Sequence, residues 1–396
     1  MQPKTYSISD HDIAPHLIDS DALFVLHQLQ NAGFIAYLVG GGVRDLLLKR
    51  TPKDFDISTS ALPAQIKKIF GKRCLLIGRR FLLAHLHFNH KIIEVSTFRS
   101  GENDSDLIVQ DNQWGTPEQD VLRRDFTING LFYDPVEHTV IDYVGGWEDI
   151  HAHTLRVIGN PEMRFKQDPV RMIRLLKFRA RFGFKIEPSA KRALLDCREE
   201  ILKSSTARVM EELLRMLESG ASAPFINLML ESGLLPLIYP SLAQFLRLPE
   251  GKEVMLYLTC VDKLAASEAR KTLSRPLLVT CLVFPFLQRL LKTHYLDKDL
   301  QPHLGEIILT ASEAIREFHH EAFVRFPKRL IAILEIILVF QYRFTPTTGK
   351  PSHSLKIFRS REFSQALNFL KIRAIVDKSL IETYTMWKQR HAKVGR

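Results

Sequence analysis

Asp54 and Asp56, two positions apart in Lys53-Asp54-Phe55-Asp56-Ile57, are the residues of this 396-residue chain whose spacing first suggests chemistry. On a strand they project from one face, while Phe55 and Ile57 point into a core. Carboxylates side by side repel, and a cation between them resolves the repulsion. Oxygen ligands of this kind suit Mg²⁺. Upstream, Leu38-Val39 reads as the end of a strand, Gly40-Gly41-Gly42 follows, and Val43-Arg44-Asp45-Leu46-Leu47-Leu48 has the spacing of a short helix. Glycines between a strand and a helix let backbone N–H groups approach a phosphate closely. Gly41 and Gly42 are therefore candidate phosphate ligands, and Arg44 adds a planar, charge-assisted fork. A phosphate cradle and a divalent-ion clamp thus follow one another within one strand–glycine–helix–strand unit.

Three further stretches carry polar groups at useful spacings. Ile92 to Phe98 reads as a strand bearing Glu94. Beside Asp54 and Asp56 that residue completes a three-carboxylate metal site; otherwise it faces solvent. In Asp120–Phe132, the positions of Leu122, Phe126, Ile128 and Phe132 suit a helix or helical turn packed on a sheet. Arg123, Arg124, Asp125 and Asn129 then occupy the remaining surface. Pro169 suits a first helical turn, and after it Met172, Leu175 and Leu176 form a buried stripe, with Arg171 and Arg174 on another face. Asp168 can pin the guanidinium of Arg171, whose fixed N–H groups can then read the edge of one base.

The elements that must position these groups follow from periodicity and turn residues. Residues 1–20 look irregular. Leu23, Leu26 and Leu29 mark a helix, Phe34–Val39 a strand, and Leu75–Phe88 two strands turning at Gly78. Ser100–Asn112 is a polar, acidic loop, and residues 139–150 read as a short strand, a Gly145-Gly146 turn and a helix start. Beyond them helix follows helix, with Val254–Leu264 and Ala311–Ala322 amphipathic. The net charge of +11 is placed unevenly: from Arg325 onward there are 15 Lys/Arg against 4 Asp/Glu, so the rest balances at 40 of each sign. Such an end attracts polyanions. Four cysteines without zinc or redox spacing, and no secretion pattern at the N-terminus, fit a reducing cytoplasm. The most apolar run, Leu330–Phe340, is 11 residues long and contains Glu335, short of the roughly 20 that cross a bilayer.

Leu38–Ser60, LVGGGVRDLLLKRTPKDFDISTS, resembles the nucleotidyltransferase head shared by bacterial poly(A) polymerases and CCA-adding enzymes, within the DNA polymerase β-like superfamily. RRDFTIN (Arg123–Asn129) is similar to one of that family's sharpest motifs, and GNPEMRFKQDPVRMIR (Gly159–Arg174) to its base-selecting helix, with Gln167 where Glu is common. ARVMEELL (Ala207–Leu214) is a further match, and the likeness runs from about residue 20 to Pro240. The resemblance implies an α+β chain: a mixed-sheet catalytic head over residues 1–150, an all-α neck over 151–220 that recognises base and RNA, and a helical, RNA-binding body and basic tail over 221–396. It implies template-independent transfer of AMP from ATP to RNA 3′ ends. Two Mg²⁺ ions would be held by Asp54 and Asp56, with Glu94 or Asp125 as the third carboxylate. Arg123 or Arg124 would grip the nucleotide's phosphates or ribose, and Asn129, Asp168, Arg171 and Arg174 would complete the nucleotide site. Leu76–His85 (LIGRRFLLAH) looks like the signature that separates poly(A) polymerases from their tRNA-repairing relatives, and CCA addition is the alternative. The Arg/Lys-rich extension frequent among poly(A) polymerases is not part of this sequence, and RNA-decay protein partners are not readable from it. A nucleotide sensor on a dead head would usually lack one carboxylate. A small-molecule nucleotidyltransferase would not need Asp168, Arg171 or the basic end.

Overall fold

The computed structural model describes residues 2–78, 82–89, 91–100, 113–267, 273–346, 358 and 360–394. Arg79, Arg80 and Phe81 of the Leu76–His85 signature, and most of the acidic loop expected over 100–112, lie outside them. The chain divides into two compact units, Met1–Arg171 with Gly183–Asp196, and Met172–Phe182 with Cys197–Arg396.

The first unit is built on a mixed eight-stranded sheet. In chain order its elements begin β1 (Lys4–Tyr6), α1 (Ser20–Asn31), β2 (Ala36–Val39), α2 (Gly41–Leu47), β3 (Asp56–Thr59) and α3 (Pro63–Phe70). Then come β4 (Cys74–Ile77), β5 (Leu83–Phe88), β6 (Lys91–Thr97), the short pair β7 (Arg99–Ser100) and β8 (Gln113–Trp114), and α4 (Pro117–Leu122). The sheet is completed by β9 (Leu131–Asp134) and β10 (Thr139–Asp142), and α5 (Gly146–His151) follows. Strand order is β1-β10-β9-β2-β3-β6-β5-β4. Only the β3–β6 pairing is parallel, and it sets Asp56 opposite Glu94. The core on one side gathers Val39, Phe98, Val121 and Phe132, with the Phe98 and Phe132 rings edge-to-face at 6.1 Å. On α1, Ala22, Val25, Leu26 and Leu29 are wholly buried. Asp19 caps that helix by accepting from the Asp21 and Ala22 amides.

Three local expectations are corrected. The N-terminal stretch is not wholly irregular: Lys4–Tyr6 pairs with β10, and Tyr6 stacks on Trp147 at 4.1 Å, a long-range contact that a three-residue polar run cannot announce. The carboxylate strand begins at Asp56, so Asp54 sits in the approach loop. It runs on through Ser58 and Thr59 because their hydroxyls find partners in Ser96 Oγ at 2.9 Å and the Ile35 carbonyl at 2.6 Å. Asp120–Phe132 is not one helix. Helix α4 stops at Leu122, a single 3-10 turn spans Thr127–Asn129, and β9 starts at Leu131. A β-branched pair, Thr127-Ile128, and then Gly130 disfavour a continuing helix.

Beyond α5 the first unit adds β11 (Thr154–Leu155), α6 (Pro161–Gln167), β12 (Lys185–Ile186) and α8 (Pro188–Asp196); the boundary with the second unit falls within α7 (Val170–Phe182). The second unit is helical: α9 (Thr206–Leu217), α10 (Ser222–Glu231), α11 (Leu234–Ile238), α12 (Pro240–Phe245), α13 (Gly251–Ser267), α14 (Arg275–His294), α15 (Leu304–Phe318), α16 (Lys328–Phe344), α17 (Phe363–Val376) and α18 (Ile381–Val394). Helix α14 exceeds the run singled out at Leu330–Phe340, being long and apolar enough to cross a membrane by length and composition. Its most apolar window is 72% buried inside the fold, as a core helix would be. Asp262 caps α10 through the Ser222 and Ala223 amides, at 2.8 and 2.9 Å.

Helix α5 packs on the 3-10 turn so tightly that a Cβ at Gly146 would lie 2.2 Å from the Thr127 carbonyl oxygen. Gly146→Ala should therefore cost about 3 kcal/mol or more, by overpacking against backbone that has nowhere to go. Thermal and urea unfolding measure this, and a variant as stable as the parent would contradict the packing.

Candidate active site

The site is assembled where β2, β3 and β9 lie side by side. Strand β2 ends at Val39 and the chain turns at Gly40, whose φ of +68° favours glycine. A side chain there would also meet the Arg124 guanidinium at 3.2 Å. Helix α2 then starts at Gly41 and packs against the loop that carries Asp54: a Cβ on Gly42 would lie 3.3 Å from the Asp54 carbonyl oxygen. Glycine turn and acidic pair, adjacent in sequence, are thus adjacent in space.

Behind the turn lies a buried polar network. Arg44 is only 4% exposed. Its Nε and Nη2 donate to Asp45 Oδ1 at 2.9 and 2.7 Å, and its Nη1 donates to Asn129 Oδ1 at 2.5 Å. Asn129 in turn donates to Asp125 Oδ1 at 3.0 Å, which also accepts from the Phe126 amide at 2.8 Å. Asp125 is 5% exposed. Arg44 and Asp125, expected on phosphate and metal respectively, are linked through their shared partner Asn129 inside the fold. A buried charge requires such compensation.

Asp54 and Asp56 are open to solvent. Desolvation nevertheless pushes the Asp56 carboxyl up to about 6, helped by the charges of Glu94 and then Asp54, with Arg124 pulling the other way. Glu94 stands opposite Asp56 in register and lies 3.5 Å from His85 Nε2, on the far neighbouring strand. Among the described residues no three His, Cys, Asp or Glu side chains form a ready-made metal cage, so the expected three-carboxylate site is not preassembled. The mutual repulsion around Asp56 still fits a divalent cation held by Asp54 and Asp56.

Arg124 is the arginine of the pair set beside both the glycine turn and the carboxylates. Its Nη2 donates to Asp120 at 2.8 Å and to Ser58 Oγ at 3.3 Å, and its guanidinium lies 5.3 Å from the Phe132 ring centre. Arg123 instead donates to the Ser100 carbonyl at 3.1 Å. Arg171 is 6% exposed and donates to the carbonyls of Arg164 (3.2 Å) and Arg123 (3.4 Å). The Arg171 amide donates to the Asp168 carbonyl at 3.0 Å. Arg174 belongs to the second unit, 3.8 Å from Glu212.

Arg164 was not singled out from sequence, yet it donates to the Arg124 carbonyl at 2.7 Å and to that of Leu122 at 3.2 Å. Burial, then the neighbouring Arg171 charge, lowers its pKa to about 10, against the pull of Asp125 and Asp168. Its spacing of four from Asp168 and seven from Arg171 was the available signal.

Comparison with known proteins places the chain. Residues 36–156 match the poly A polymerase head domain, and residues 183–246 match a probable RNA and SrmB-binding site of polymerase A. Poly(A) polymerase I of Haemophilus influenzae is 32% identical over 394 residues, covering 96% of this chain and 86% of that protein. The chain belongs to the poly(A) polymerase and tRNA nucleotidyltransferase family. A CCA-adding enzyme of Lactobacillus johnsonii is 36% identical, over 54% of each chain. The fold matches the crystal structure of the Bacillus stearothermophilus CCA-adding enzyme in complex with CTP, with TM-score 0.64 and 24% identity, covering 94% of this chain and 82% of that one. Within this family the chain is a nucleotidyltransferase with a mixed-sheet head and a largely helical remainder.

The raised Asp56 carboxyl has a pH consequence. Its proton is held more tightly in the folded state (about 6) than in the unfolded chain (3.8). The associated stability is present below about pH 4 and lost as pH rises through 6. In metal-free buffer Asp56→Asn should match the parent's melting temperature at about pH 4 and exceed it by a few degrees at about pH 7.5. Added Mg²⁺ should raise the parent's melting temperature and leave the variant's unchanged. A variant no more stable than the parent at the higher pH would argue against the crowding.

Proposed function

We propose that this nucleotidyltransferase adds AMP from ATP to RNA 3′ ends without a template. The observation that supports transfer chemistry is the crowding of Asp56 by Asp54 and Glu94 directly beside a glycine turn. Mg²⁺ held by Asp54 and Asp56 would neutralise the triphosphate and make the RNA 3′-hydroxyl more acidic. The protein's own residues orient the reactants. Backbone N–H groups of Gly41 and Gly42 face the phosphates, and Arg124 adds positive charge at the same spot. Arg44 acts one layer back, fixing Asn129, and through it Asp125, so that the turn keeps its shape. Arg164 and Arg171, braced on the carbonyls around Arg123 and Arg124, supply rigid donors for the base edge. Attack of the 3′-oxygen on the α-phosphorus forms the new phosphodiester and expels pyrophosphate. Rate enhancement on this reading comes mainly from positioning and charge stabilisation.

AMP addition is favoured over CCA addition by the extent of likeness: the poly(A) polymerase relative aligns along 96% of this chain, the CCA-adding one along 54%. CCA repair of tRNA is the second reading, supported by the CCA-adding relative that is 36% identical over 54% of this chain. A reducing cytoplasm suits the four buried free thiols.

Incubation with Mg²⁺, labelled ATP or CTP, and either generic RNA or tRNA lacking its 3′ end separates the two. Long ladders of A alone on generic RNA are expected. A stop after three nucleotides on tRNA only would overturn the assignment. Asp54→Ala and Asp56→Ala should each lower turnover on the order of 10³-fold or more while melting cooperatively.

A further inference from the structure

The second unit carries an open groove of about 390 Å³ between α15 and α16, remote in sequence from every residue of the site above. Its floor is the face of α16 bearing Ile336, Val339 and Phe340, and Ile308 of α15 forms the opposite wall. These are apolar, and Ile308 and Ile336 remain 40% and 37% exposed. Leu304, one turn before Ile308 on α15, is also 40% exposed. Opposite charges stand at the two ends of the groove. Glu335 and Arg343 both line it, eight residues and so roughly 12 Å apart along the helix.

Neither charge is neutralised by an ion partner among the described residues. Glu335 accepts a hydrogen bond from the Ser312 hydroxyl, which leaves its negative charge in place. Arg343 lies over the Phe340 ring at 5.3 Å, and its Nε is buried without a hydrogen-bond acceptor. With no ion partner for its positive charge among the described residues, the Arg343 head can take a carboxylate entering the groove. The groove therefore presents a cation, an apolar floor of about two helical turns, and an anion.

We propose that this groove is a docking site for an amphipathic helix of a partner protein. Its complement is an Asp or Glu over Arg343, a Lys or Arg seven or eight residues away over Glu335, and apolar side chains at i, i+3 or i+4, and i+7 between them. The two charges of opposite sign, separated by about two helical turns of apolar floor, favour a helix over a small amphipathic acid. Such an acid would engage Arg343 alone.

Helical peptides displayed on phage, panned against the full-length chain, test this directly. Enriched sequences should carry the acid–apolar–base spacing and bind saturably. Arg343→Glu should weaken them at least tenfold, and a peptide with its acidic residue changed to Lys should restore binding to that variant. Ile308→Glu, at a solvent-facing position, should weaken the same peptides and keeps the test decisive if Arg343→Glu unfolds. Nucleotide transfer by Ile308→Glu should match the parent. Failure to enrich any peptide would overturn the proposal, as would enriched peptides that bind both variants like the parent. Complete displacement of the peptides by decanoate that is equally effective on Ile308→Glu would overturn it in favour of a small-ligand site.

Discussion

The hydrogen bond from Arg44 to Asn129 joins two parts of the chain 85 residues apart, and the shape of the site depends on it. One end belongs to the helix that follows the glycine turn, the other to the single 3-10 turn before β9. Both ends are buried, so neither can exchange its partner for water. A guanidinium in that position demands a counter-charge and a full set of acceptors, and Asp45 and Asn129 provide them. Asn129 then has its amide donor left for Asp125. The result is a fixed relation between the glycine turn and the arginine pair, set by satisfied polar groups instead of by flexible surface contacts.

Charge is handled in opposite ways on the two sides of that network. Behind the turn, the buried Arg44 charge is matched by Asp45 within hydrogen-bond distance, and Asp125 accepts from Asn129 and the Phe126 amide. In front, the parallel register of β3 and β6 sets Asp56 beside Glu94, and the adjoining loop brings up Asp54, with Arg124 as the opposing charge acting on Asp56. Repulsion of this kind destabilises a protein, and nothing about the fold requires it: apolar or amide residues would pair the strands equally well. Unbalanced negative charge beside backbone N–H groups and an arginine is a natural place for a cation–polyphosphate complex, where metal meets carboxylate and phosphate meets donors. The rigid network and the strained acidic cluster are therefore complementary, one preserving geometry and the other preserving affinity.

Legibility in the sequence followed the range of the interactions. The turn from β2 into α2 was readable because three glycines and a helical apolar pattern are local features. The same holds for the strand bearing Glu94 and for the two antiparallel strands β4 and β5. What local pattern could not reveal was the direction in which a polar side chain points. That Arg44 reaches Asn129 was not readable, because the two are far apart in sequence. Asp120–Phe132 looked helical because its apolar spacing fits 3.6 residues per turn by accident of a helix, a turn and a strand laid end to end. Arg164 was passed over because its acceptors are backbone carbonyls, which leave no trace in side-chain composition.

The basic end of the chain shows how folding and attraction can share the same residues. Arg373 lies 4.7 Å from the Phe284 ring and donates to Gln341, and Arg343 lies over Phe340. Trp387, wholly buried, donates to the Phe344 carbonyl and so ties α18 to α16. Several of the charges behind the +11 excess are thus built into packing, with their alkyl stems and planar heads covering aromatic surface. Packing of this kind leaves the charge itself intact. The electrostatic potential of a surface sums over all its charges and reaches out over a screening length of roughly 10 Å. Long-range attraction to a polyanion therefore does not require a tail free of the fold. It requires only that few acidic residues interrupt the helices, and from Arg325 onward there are four.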